Sequence, residues 1–254
     1  MEMNQNFQQT TVAPTNTGLN FLKIFGFFAL GLAITAAGCF GFSYLWNFLF
    51  SSITDGSEMI YFIIILVFSM VGTFITGILV GRNTFKDGYK SIIPFTLYCL
   101  FYSVLFSSFV ILLNNPNVIG AALLITACLF LIMGLFGFLF KGKVVGVVIG
   151  IIVALSIGAG IFYMVNYFWL LASLIGNADF SNFLWMYFGV EMVYLLIMLL
   201  YTSVDIYRIK AGSQNTNLTT NECIMWSMVL YSDFATILIY IIRLLVIAMA
   251  TNKD

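Results

Sequence analysis

The sequence predicts an all-α integral membrane protein, a bundle of seven transmembrane helices, and three observations carry that reading. Of the 254 residues, 62% are apolar, 17% aromatic and only 8% charged. Soluble domains run at about 45–50% apolar and about 25% charged, so this composition leaves too little polar surface to face water. Seven apolar runs reach the ~20 residues needed to cross ~30 Å of hydrocarbon. The polar breaks between them concentrate lysine and arginine in every second break, as the positive-inside rule requires of a multi-pass chain.

Taken in order, residues 1–20 are polar with one charge, Glu2. They lack the basic start and small-residue cleavage site of a signal peptide and read as a disordered tail ahead of a transmembrane domain over 21–254. The spans are about 24–50, 59–81, 91–113, 118–140, 144–166, 181–207 and 224–250, separated by breaks at 51–58, 82–90, 114–117, 141–143, 176–181 and 208–222. The fifth apolar stretch continues to Ile175, too long for one upright crossing, so tilt or an interfacial extension after Asn166 takes up the excess. Gly77 with Gly81 and Gly146 with Gly150 have the small-x-x-x-small spacing that lets helices approach closely. Thr219 and Glu222 have capping-box spacing, which starts the seventh helix just ahead of its apolar run.

Charge fixes an orientation. Lys23, Arg82, Lys86, Lys90, Lys141, Lys143, Arg208 and Lys210 are eight of the ten basic residues and share one side of a seven-span chain. The other side has Lys253, with Asp55, Glu58 and Asp179. The rule therefore places the N-terminus in the cytoplasm and the C-terminus outside. A six-span arrangement, with Lys253 and Asp254 inside, stays open because it turns on one lysine. The sequon Asn217-Leu218-Thr219 lies in a cytoplasmic loop on this reading and goes unused.

Composition also excludes whole classes. Ten basic residues balance ten acidic ones, so no cationic excess exists for nucleic acid. There is no histidine, which removes histidine metal sites, serine–histidine and cysteine–histidine nucleophiles and the ordinary near-neutral proton switch. Cys39, Cys99, Cys128 and Cys223 are isolated and read as buried thiols rather than zinc ligands or disulfides. No cofactor is implied.

Glu191, Asp205, Asp233 and Arg243 fall inside apolar spans, and Arg82 ends the second span. An ionised group at that depth costs about 2.5–3.5 kcal/mol on insertion scales, so function is the first reading and a structural ion pair the second. Asp205 lies near the cytoplasmic end of the sixth span, and Asp233 sits roughly 14 Å into the seventh from Ile224 at about 1.5 Å per residue. Two carboxylates and the Arg82 guanidinium can thus share a depth. Glu191, Tyr201 and Asp205 form a polar stripe along the sixth helix, either a wet ion path or, for Glu191, a protonated hydrogen-bonding group inside the bundle. Arg243 reads as structural, snorkelling outward or pairing with Glu191. The twenty-seven Phe and thirteen Tyr read as lipid contact and interface anchors.

Three segments resemble the Bax inhibitor family, the transmembrane Bax inhibitor motif proteins. They are Asp205-Ile206-Tyr207-Arg208-Ile209-Lys210, then Leu230-Tyr231-Ser232-Asp233-Phe234 with Arg243-Leu244-Leu245 ten residues past that aspartate, and Phe21-Leu22-Lys23 with Ala29-Leu30-Gly31-Leu32-Ala33-Ile34-Thr35-Ala36. The resemblance implies a bundle with a central seventh helix and a pH-sensitive, calcium-permeable leak channel; eukaryotic members protect against cell death. It maps the family's aspartate pair onto Asp205 and Asp233, a di-aspartyl sensor, and the arginine that latches the pair in bacterial members onto Arg82. The tyrosine often found before the first aspartate is Val204 here, and the loop before the last helix is longer and rich in Asn and Thr.

The physics stands beside the resemblance. Two neighbouring carboxylates in a low-dielectric site cannot both ionise freely and titrate as a pair. An arginine beside them ties helices together, and protonation loosens that tie, so the path is expected to open when the pair is protonated. Calcium takes several oxygen ligands, and Asp205, Asp233, Glu191 and helix-end carbonyls are the supply. The expected partners are the lipid bilayer, calcium and protons.

Two rivals remain. An intramembrane aspartyl protease also places one aspartate on each of two helices, but its Gly-x-Gly-Asp and Pro-Ala-Leu signatures are missing: Leu230-Tyr231-Ser232 precedes Asp233. A proton-coupled transporter is the other, without the internal repeat common in such folds. A retinal protein is excluded by the absence of lysine from the seventh span. Abundant Asn, Ile and Phe point to an AT-rich bacterial genome and hence a plasma membrane; a eukaryotic source would point to endoplasmic reticulum or Golgi.

Overall fold

The computed structural model describes residues 17–50, 58–86, 88–113, 116–176, 180–215 and 218–251. Residues 1–16 of the expected tail, Asp55, Asp87, Asp179, the sequon's Asn217, Lys253 and Asp254 lie outside them. Seven helices follow in chain order: α1 (Thr17–Phe50), α2 (Glu58–Asn83), α3 (Ile92–Leu113), α4 (Pro116–Leu139), α5 (Gly142–Gly176), α6 (Phe180–Asn215) and α7 (Thr220–Thr251). Each is long and apolar enough to cross a membrane. Hydrocarbon offers no partner to a free N–H or C=O, so a helix, which satisfies its own backbone, is the form such runs take. The chain is an integral, multi-pass membrane protein.

Helix ends have local causes. Pro116 opens α4 and Pro94 sits in the first turn of α3, positions where a missing N–H forfeits no intrahelical bond. At the start of α7 the Thr219 N–H donates to Glu222 Oε2 at 2.7 Å and the Glu222 N–H to Thr219 Oγ1 at 3.2 Å, the reciprocal capping box the spacing predicts.

Three boundaries differ from the sequence reading. Residues 17–20 belong to α1, not to a tail, and Asn20 is buried and donates to the Ser213 carbonyl at 3.5 Å. The α5 helix continues unbroken to Gly176. The α6 helix runs eight residues past Tyr207, to Asn215, because a helix that leaves the hydrocarbon continues in water while its residues favour it.

The α7 helix packs against α1, α2, α3, α4 and α6. Half of its most apolar stretch is buried, against 44% in α6 and no more than 28% in the other five. It is the centre of the bundle. Leu230, Ile237, Leu238 and Ile241 join α7 to α1, α4 and α6 in one core cluster, while Tyr231 and Ala235 join it to α1 and α3 in a second. Outward, α2 to α5 present side chains such as Phe74, Ile93, Leu131 and Val147, the apolar exterior that lipid requires.

The close helix approaches are not at the glycine pairs expected from spacing. A Cβ at Gly81, Gly146 or Gly150 would meet nothing within 4 Å, and one at Gly77 only the Tyr98 ring at 3.6 Å. Contact is tight instead at Gly137, where a Cβ would lie 2.5 Å from the Ser203 carbonyl oxygen and 2.9 Å from Ile206 Cβ. That obstacle is backbone and cannot rotate away. Gly137→Ala is therefore expected to push α4 off α6 and destabilise by about 1–3 kcal/mol. Gly72→Ala meets only the Phe101 ring, at 2.6 Å, and is expected to be milder. Unfolding titrations in mixed micelles check the ranking.

One end of the bundle is tied by polar contacts. Asn221 accepts from the Ser91 N–H at 3.1 Å and donates to the Lys86 carbonyl at 2.6 Å, and Lys210 Nζ donates to the Phe138 carbonyl at 2.7 Å. These contacts join the start of α7, the α2–α3 connection and the ends of α4 and α6. Lys86, Lys141, Arg208 and Lys210 stand at this end, so the basic residues that sequence placed on one side are also together in space.

Candidate functional site

The site is built on residues 202–210 of α6 and the middle of α7. Each side of α6 has a separate task here. Toward α4, Ser203 Oγ lies 3.1 Å from the Met133 carbonyl, and Lys210 holds the last turn of α4. Together with the small Gly137 surface, this locks the helix rotation. Toward α7, Thr202 is fully buried with its hydroxyl beside Asp233. That rotation leaves Asp205 on the α7 side, mostly covered.

Asp233 is thirteen residues into α7, about 20 Å from its start, and Asp205 is ten residues from the end of α6, about 15 Å. Because the two helices run in opposite directions, these are similar depths. The structure brings the two carboxyls within electrostatic reach of each other. Asp233 is buried, and its Oδ2 has no hydrogen-bond partner. A buried carboxyl oxygen that no described protein group satisfies is uncommon in native proteins and is met by a water, an ion or a functional role.

The arginine on this pair is not Arg82. Arg208 Nη1 lies 3.1 Å from Asp205 Oδ1, three residues along the same helix. Arg82 is exposed and takes part in neither of the ion pairs among the described residues. The cause is topological: α2 packs mainly on α3, whereas α6 packs on α4, α5 and α7. Arg208 needs only one helical turn to reach Asp205. The cation therefore balances charge on α6 and does not latch the pair to a third helix.

Tyr201 also departs from expectation. It is 41% exposed on the outside of the bundle while Glu191 is buried, so they do not line one path. Ten residues advance a helix by about 1,000°, which leaves Tyr201 about 80° around from Glu191. Glu191 instead pairs with Arg243, Oε1 to Nη1 at 3.3 Å, one of the two readings of Arg243 from sequence. Tyr187 stands beside that carboxyl, and the Arg243 guanidinium lies 5.9 Å over the Tyr240 ring.

Thr202 and Arg208 are the site residues sequence reasoning missed. Both were visible as the i−3 and i+3 neighbours of Asp205 on a helix. Among the described residues no cluster of three or more acidic or thiol side chains exists. Two carboxyls and a hydroxyl offer fewer ligands than the roughly six to eight oxygens of a closed calcium site.

The family described as inhibitor of apoptosis-promoting Bax1 matches residues 19–250, nearly the whole chain. The chain belongs to the Bax inhibitor family. No curated protein and no solved structure matches it. In this Bax inhibitor family member the charge on the aspartate pair is supplied from α6 itself. Arg208→Gln is accordingly expected to destabilise the fold, because it leaves the mostly covered Asp205 carboxyl unbalanced, whereas Arg82→Gln, at an exposed residue in neither ion pair, is expected to leave stability unchanged. Unfolding titrations in mixed micelles decide between the two arginines.

Proposed function

We propose that this protein is a pH-sensitive, calcium-permeable leak pathway whose sensor is the Asp205–Asp233 pair between α6 and α7. The observation that carries the reading is the buried Asp233 carboxyl, with one oxygen unpartnered and Asp205 and Thr202 facing it. Such a pair changes charge with pH as one unit, and no histidine is present to do so.

Its charge is coupled to the packing of the bundle through the next residue. The Phe234 ring packs against Phe130 at 5.6 Å and Phe28 at 6.1 Å, and those two stack at 5.3 Å. Three rings from α1, α4 and α7 form an apolar plug beside the carboxyls. A small turn of α7 that follows a charge change at Asp233 shifts Phe234, and an apolar constriction of this kind gates by wetting or drying.

The test is calcium efflux from liposomes carrying the purified protein at several pH values. Flux that runs down the calcium gradient and varies with pH supports the reading. Flux that saturates and requires an opposing proton gradient would make the protein a coupled transporter instead. The basic end of the bundle is assigned to the cytoplasm by the positive-inside rule. Ser213 is buried and exposed Gln214 is the better reporter. Gln214→Cys in a cysteine-free background should react with an impermeant thiol reagent only after cells are permeabilised.

A further inference from the structure

A cavity of about 620 Å³ lies among α1, α3, α4 and α7, beyond the Phe28–Phe130–Phe234 plug. Phe234 is part of its inner wall, and its lining runs from Leu32 to Phe40 along α1 and from Tyr231 to Ile242 along α7. At about 1.5 Å per residue these walls are about 12–16 Å long. The lining is almost wholly apolar. Its two side-chain hydroxyls, Thr35 Oγ1 and Tyr231 OH, are 2.6 Å apart and engage each other, with Thr35 also reaching the Gly31 carbonyl at 2.9 Å. Beyond these, the lining side chains offer only the Cys39 thiol, a weak hydrogen-bond partner for water and a poor one for a cation.

An apolar space of this size is not kept empty beside lipid. Engineered cavities of about 150 Å³ lined by Leu, Ile and Phe stay dry and take up benzene. This one is about four times larger, room for some two dozen carbons rather than six. Two of its lining residues, Phe40 and Leu123, are also exposed on the outer face of the bundle, at 74% and 43%. The cavity therefore reaches the surface that the bilayer covers. We propose that it is a binding site for one acyl tail of a membrane phospholipid, drawn from the leaflet at the Phe40 end of α1. The walls accept a depth of tail rather than a headgroup: they offer length, apolar contact and no charge. A tail seated there rests on the aromatic plug and fills the space through which a hydrated cation would approach Phe234.

The site is independent of the leak reading and is tested without measuring flux. A phospholipid carrying a photoreactive group at the end of one acyl chain is incorporated into nanodiscs with the full chain, activated, and its adducts mapped by peptide mass spectrometry. Adducts are expected on Phe234 and Leu238, which line the cavity from the central helix α7, away from lipid passing around the bundle. Gly120 lines the cavity, and a Cβ there meets nothing within 4 Å, so Gly120→Phe should fill the space and abolish those adducts. Adducts on lipid-facing Leu131 should persist. Ala36→Phe, a second filling variant from α1, should give the same loss. Adducts confined to exposed residues, or buried adducts that survive both substitutions, would overturn the site. Labelling of Phe234 by a photoreactive free fatty acid but not by the phospholipid would overturn the phospholipid as occupant.

Discussion

Asp205→Asn with Asp233→Asn is expected to abolish the pH dependence of calcium flux, and either change alone should do nearly as much. Asparagine keeps the shape of a carboxyl while removing its charge and its titration. Groups that act as one unit are not additive, so the second substitution should add little to the first. Stability should move the other way from activity. Asp233 Oδ2 is buried without a partner, and a buried unsatisfied polar group costs about 1–3 kcal/mol, more if charged. Asparagine leaves a polar group in that place and removes only the charge, so Asp233→Asn is expected to raise thermal stability where the wild-type pair is ionised and to change it little where the pair is protonated. A folded double variant that retained the wild-type pH profile would rule out this pair as the sensor.

The pairing of a destabilising group with a proposed role follows a general pattern. Residues that break local rules at a cost to stability concentrate where function requires them. Thr202 softens the cost at Asp233 but does not remove it, and Arg208 stands on the Asp205 side. The pair is thus unequally supported: one carboxyl has a half-exposed cation, the other a hydroxyl and a bare oxygen.

How much of this was legible in the sequence divides along physical lines. Hydrocarbon thickness fixes how long an apolar run must be, so all seven crossings could be counted. The run ends where water begins, however, not where the helix ends. Reading α6 as stopping at Tyr207 hid Arg208, a helical neighbour of Asp205 on a helix that continues to Asn215. Depth is one-dimensional and can be read by counting residues from the end of a run, which is how the two aspartates were assigned a common depth. Rotation is not read that way. Tyr201 lay on the expected stripe yet faces outward, and Arg82 is in neither ion pair among the described residues, because which helices touch is a tertiary outcome that no spacing encodes. The Thr219–Glu222 box was legible because its whole cause lies within four residues. The cavity was not, because empty volume has no residue of its own.

Arg243→Ala should produce the largest loss of stability among the charge substitutions. Glu191 is buried, its Oε1 takes the Arg243 guanidinium at 3.3 Å, and its Oε2 has no partner. Removing one member of a buried pair commonly costs about 3–5 kcal/mol, because the other charge is left uncompensated. Arg243 is about half exposed, so the lower end of that range is expected. The guanidinium also lies over Tyr240, whose ring stacks on Tyr194 at 6.2 Å, and that contact between α7 and α6 goes with it. If the loss comes from the stranded carboxylate, Glu191→Gln added to Arg243→Ala should recover most of the stability, since the uncompensated charge is then gone while the lost packing is not restored. Unfolding of the four proteins in a double-mutant cycle measures the coupling directly. The pH dependence of flux should persist in folded Arg243→Ala, because this ion pair is separate from Asp205 and Asp233. A double variant as unstable as the single one would assign the effect to lost packing on Tyr240 instead of to the charge on Glu191.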